Sequence, residues 1–182
     1  MDISQTIELE VAKVLSGNDL YTAYKEQWQY LFESYLGGEE YRNGAHLIRY
    51  QLESPGEYSQ RLHTTPLENH CRSVISVYTS FLFRETPMRD LGTLENAPDI
   101  ENFLRDADMD GRSLDQFMKD VSIWSSVFGH VWVVVTKPNL ELLTRADEID
   151  QGVRPYLNMM TPLAVTDWNW RRSPTGAYKL DF

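Results

Sequence analysis

The feature that most constrains this 182-residue chain is a change of hydrophobic period at Gly129. Before it, Leu114, Phe117, Val121, Trp124 and Phe128 recur at helical spacing, and Ser113 with Gln116 forms the capping box that opens such a helix. Gly129 then supplies the left-handed backbone that closes it at low cost. Beyond the glycine, Val131-Trp132-Val133-Val134-Val135 is apolar, continuous and mostly β-branched, the pattern of a strand covered on both faces. Neither a pure bundle nor a pure sandwich accommodates that junction.

The remaining segments divide in the same way. The spacing predicts a short helix over residues 5–16. A second is capped by Asn18 or Asp19, carries Tyr24, Trp28, Leu31 and Tyr35 along one stripe, and ends near Leu36 before Gly37-Gly38. From Glu39 to Glu57 the pattern is loop-like, with a turn at Asn43-Gly44, brief extended pieces at Leu47-Ile48 and Tyr50-Leu52, and a break at Ser54-Pro55-Gly56. Thr65-Pro66-Leu67-Glu68 has the order of a capping box with proline at the first helical position. The helix expected from it runs to about Arg84, with Leu67, Cys71, Val74, Ile75, Tyr78 and Leu82 as its core stripe.

Residues 98–107 read as a shorter helix, Thr144 caps another over Arg145–Asp150, and Tyr156–Met160 reads as a strand. Trp168 and Trp170, then Tyr178, Leu180 and Phe182, alternate with polar residues across an Arg-Arg-Ser-Pro-Thr-Gly turn, which is a hairpin with one apolar face. Helices first and strands afterwards indicate an α+β fold, N-terminal helices followed by a small, mainly antiparallel sheet. The expected organisation is a helical and extended segment over 1–56 and an α+β domain over 57–182. Because the chain ends at Leu180-Asp181-Phe182, inside an apolar strand, the domain is expected to be truncated there.

Composition narrows the function. The net charge of −10 repels phosphate backbones and argues against gripping nucleic acid over a broad face. It is compatible with a protein that DNA slides past. Cys71, the single cysteine, has no partner for an internal bridge, which points to folding in a reducing cytoplasm. The start, MDISQTIELEVAKVL, lacks the basic and continuously apolar regions of a signal peptide, and no stretch approaches the roughly 18 apolar residues of a membrane helix. No membrane partner is expected.

Motifs for chemistry are weak. Asp106, Asp108, Asp110 and Gly111 open like a calcium loop, but the twelfth position, which needs a bidentate Glu, is Phe117. A solvated turn between helices is the better reading. Cys71 beside His70 or His63 lacks the geometry of a thiol nucleophile and base, since neighbours on a helix diverge by about 100°. Cys71 is expected instead to be a small core residue. His46, His63, His70 and His130 show no zinc spacing, and no glycine-rich phosphate loop occurs. Glu39-Glu40 and Asp147-Glu148 read as solvated charges, and Arg84, Arg89, Arg171 and Arg172 as exposed turn residues rather than phosphate ligands. The set Tyr21, Tyr24, Trp28, Phe32 and Tyr35 is wider than one core seam, so part of it is free to face another subunit. No catalytic, cofactor-binding or metal-binding residue is assigned, and no enzyme is expected.

Three segments carry a family resemblance. RLHTTPLENHCRSVISVYTSFLFRETP, GRSLDQFMKDVSIWSSVFGHVWVVV and RPYLNMMTPLAVTDWNW resemble, in order and texture, successive parts of the portal proteins of tailed bacteriophages. The resemblance covers Tyr58–Arg89, Gly111–Pro138 and Arg154–Trp170, in core patterns rather than functional residues. It implies a wing-like α+β fold and a homo-oligomeric ring, normally of twelve subunits, at one capsid vertex. The implied partners are the major capsid protein, the terminase, head-to-tail adaptor or neck proteins, and DNA passing without sequence preference. It implies no cofactor, and a place in the virion after assembly in the host cytoplasm. Two alternatives stay open: a structural adaptor domain of a virion or other assembly, and an enzyme whose site has no recognisable motif.

Overall fold

The computed structural model describes residues 18–44, 46–66, 68–94, 97–138 and 144–181. The helix expected over 5–16, and the expected contributions of Leu67 and Phe182, lie outside them. The fold is α+β. Among the described residues, helices α1 (Asp19–Leu36), α2 (Gly38–Asn43), α3 (Pro55–Thr64), α4 (His70–Leu82), α5 (Pro98–Arg105) and α6 (Leu114–Phe128) precede strand β1 (Trp132–Thr136). Helix α7 (Arg145–Asp150) and strands β2 (Tyr156–Met160), β3 (Asn169–Arg172) and β4 (Tyr178–Asp181) follow. β1 pairs with β2 and β3 with β4, both antiparallel.

The chain forms two compact units, one from the residues up to Asn69 together with those from Thr161, the other from His70–Met160. In the first, Asn18 accepts the Leu20 amide and so caps α1. The same residue ties the returning chain down, its amide donating to Thr166 O at 2.9 Å and its Nδ2 to Trp168 O at 3.0 Å. Trp28 is buried, with the rings of Tyr21 and Tyr24 each 6.0 Å from its own. Gly37, at φ +68°, closes α1 in a conformation that side chains resist, and a Cβ there would lie 2.6 Å from Asn69 Nδ2.

Two expectations fail in this unit. The segment 39–57 is not all loop, because α2 occupies 38–43 and Ser54-Pro55-Gly56-Glu57 opens α3 with a complete capping box. Thr65, in turn, closes α3 instead of opening the next helix: its amide and its hydroxyl both donate to Arg61 O, at 2.9 and 2.6 Å. The two Ser/Thr-Pro-x-Glu sequences are near-equivalent locally, and the first is supported by tertiary contacts. Arg61, on α3, binds both carboxylate oxygens of Glu53 at 2.7 and 2.8 Å and donates to Ile48 O at 2.8 Å, fastening the irregular stretch onto the helix.

The second unit contains the junction at Gly129. Ser113 and Gln116 complete their capping box, α6 buries Phe117, Val127 and Phe128, and Gly129 ends it at φ +85°. Ala107, Phe117 and Leu157 form the core cluster, with Phe103, Leu114, Val121 and Met159 packed on it. β2 supplies the sheet's share of that cluster, and β1 lies outside it. Val133 and Val135 are therefore exposed, Val135 at 70%, and the strand expected to be covered on both faces has an open one. A two-stranded sheet has no further strand or layer over its outer half.

Candidate interaction surface

The polar motifs of the sequence are occupied by structural tasks. In the loop from α5 to α6, Asp108 is 6% exposed and accepts the amides of Asp110 at 3.0 Å and Arg112 at 3.2 Å, as well as the Arg112 guanidinium. Burial pushes the Asp108 carboxyl up, but these three hydrogen bonds together outweigh it and hold the group below the usual carboxylate range. Asp106 accepts Gly111 N at 3.0 Å and Arg154 Nη2 at 2.7 Å. Arg112 also reaches Asp120, at 3.1 Å. Two of the three aspartates that suggest a calcium loop thus face arginines, and Ala107 links the loop to the sheet, accepting the Leu157 amide at 2.8 Å. Among the described residues no cluster of three or more His, Cys, Asp and Glu is placed to hold a metal ion.

Other candidates disperse. Thr144 and Asp147 cap α7 reciprocally, and Glu148 accepts Lys137 Nζ at 2.6 Å, so the Asp147-Glu148 pair has structural partners. Glu39 and Glu40 sit in the first turn of α2, where the helix dipole favours them. Arg89 binds Asp115, and Arg172 Nε donates to Gly176 O at 3.4 Å. The sequence gives no hint of His46, whose Nε2 lies 2.5 Å from Glu33 Oε2 with its ring edge-on to Tyr30 at 4.8 Å. The Asn43-Gly44 turn is legible in the sequence, but its pairing of His46 with Glu33, 13 residues earlier, is not.

A cleft of about 480 Å³ in the second unit is lined by Ile100, Phe103, Val135, Ile149, Val153 and Leu157. Its rim carries the Arg145–Asp99 and Lys137–Glu148 ion pairs, at 2.5 and 2.6 Å. The charges there are engaged with one another rather than converging on a common point, and the floor is apolar.

The largest departure from expectation is α4. Among the described residues of the expected stripe, only Ile75 is partly buried. Cys71 is exposed, not a core residue, and the buried position is Thr79. The helix packs on α6, and its covered side bears Ile75, at the edge of the stripe, and Thr79, just beyond it. Val74, Val77, Tyr78, Phe81 and Leu82 consequently form an outward apolar face, each 57–71% exposed. Among the described residues no helix is long and apolar enough to cross a membrane. Compared with known proteins, the chain matches no protein-family model and shows no significant similarity to any curated protein.

Proposed function

We propose that this chain is a structural subunit of a tailed-bacteriophage portal, repeated around a closed ring at the capsid vertex through which DNA is packaged and ejected, and that it is not an enzyme. The observation that carries the reading is the outward apolar face of α4, formed by Val74, Val77, Tyr78, Phe81 and Leu82. A subunit that folds for a permanent assembly leaves such surface for its neighbours, whereas contiguous apolar patches are uncommon on proteins that act alone. The segments that resemble portal proteins contain α4, α6 with Gly129 and β1, and β2. The net charge of −10 suits a channel that must not retain DNA.

On this reading the partners are other copies of the chain, the capsid protein, the terminase and the neck proteins. The location is the virion, after assembly in the host cytoplasm. Negative-stain class averages of the native particle containing this chain test it. Rings with an axial channel support the proposal. Small particles without rotational symmetry return the structural adaptor to first place.

A further inference from the structure

Resting on the ring reading, we infer that the outward face of α4 is the contact between neighbouring copies of this chain. The face has the geometry of a helix–helix seam: Val74, Val77, Tyr78, Phe81 and Leu82 occupy positions i, i+3, i+4, i+7 and i+8. At their observed exposures these five side chains leave on the order of 600 Å² uncovered, at the upper end of the patches found on monomers. That is most of the roughly 800 Å² each partner contributes to a standard interface.

Electrostatics selects a second copy as the occupant. Two chains of net charge −10 repel, so they meet best where neither presents charge. From Ser73 to Phe83 the sequence carries no Asp, Glu, Lys or Arg, in a chain that is 24% charged. A cationic or polyanionic partner would find no complementary group along this stripe. Ser80 flanks the face beyond Val77, and its hydroxyl donates within its own helix to Ser76 O at 2.7 Å, so covering it strands no donor.

The test compares assembly of the native full chain with that of Val77→Glu and Phe81→Glu. With the fold retained by circular dichroism, each variant is expected to need at least tenfold more protein to form the ring, because the different surface of the next copy that covers α4 would then bury an unpaired carboxylate. Hydroxyl-radical footprinting of the wild type removes any dependence on how the variants fold. Tyr78 and Phe81 are expected to be oxidised at least fivefold more slowly in the assembled particle than in dissociated subunits. Unchanged assembly of folded variants, or equal oxidation in both states, overturns the α4 contact while leaving the ring reading in place. A wild type that remains a monomer at every concentration overturns both.

Discussion

Helices α4 and α6 pack against each other and are of similar length, 13 and 15 residues, but they bury themselves in opposite ways. α6 puts Phe117, Val127 and Phe128 inside and carries Asp115, Lys119 and Asp120 elsewhere on its surface. α4 puts Thr79 inside and leaves two aromatic and three aliphatic residues outside, with no charge among them. A helix completed by its own chain shows a charged outer face. On α4 the apolar face itself is the outer one.

The contrast predicts a graded set of responses to substitution. Phe117→Ala, on the buried side of α6, is expected to cost about 3–5 kcal/mol in chemical denaturation, from lost burial and the cavity left behind. A cost below about 1 kcal/mol would remove Phe117 from the centre of the core. Asp108→Asn, in the loop that leads into α6, should cost about 1–3 kcal/mol through the weakened latch to Arg112.

Asp108 also predicts an acid response. Because its carboxyl titrates lower folded than unfolded, its contribution is fully present above the unfolded value of about 3.9 and is lost as pH falls through the folded one. The variant should therefore show a shallower loss of stability than the wild type below about pH 4 in parallel acid titrations. Ser113→Ala removes one half of the α6 capping box and is expected to lower stability by about 1 kcal/mol. Phe81→Ser, on the outer face of α4, should alter the stability of the dissociated subunit by less than about 0.5 kcal/mol while weakening assembly. If it instead destabilised the subunit as much as Phe117→Ala, the two helices would not differ as described.

How much of this was legible in the sequence follows the same division. Around α6 and α7, local chemistry and packing agree: Ser113, Gly129 and Thr144 occupy the cap positions their neighbours indicate, and the β3–β4 register sets Trp170 opposite Leu180 as the alternation requires. Where alternatives were locally equivalent, tertiary contacts decided. Ser54 and Thr65 head similar Pro-x-Glu sequences, and Arg61 on Glu53 favours the helix that begins at Pro55.

The α4 stripe was misplaced for a different reason. The apolar residues of α4 do share one helical face, but the packing covers the edge of it at Ile75 and the adjoining polar position Thr79, so Cys71 and Tyr78 are exposed and Thr79 is buried. The outer valines of β1 are ambiguous between a core strand and an open one. The exposed face of α4 is thus visible in the sequence as an apolar stripe, and that it points outward follows only from the packing.

Native mass spectrometry of the intact particle that contains this chain tests the central claim most directly. The account predicts a closed homo-oligomer of a dozen or so subunits whose mass is an integral multiple of the subunit mass. A compact monomer or dimer that persists as concentration is raised would contradict it.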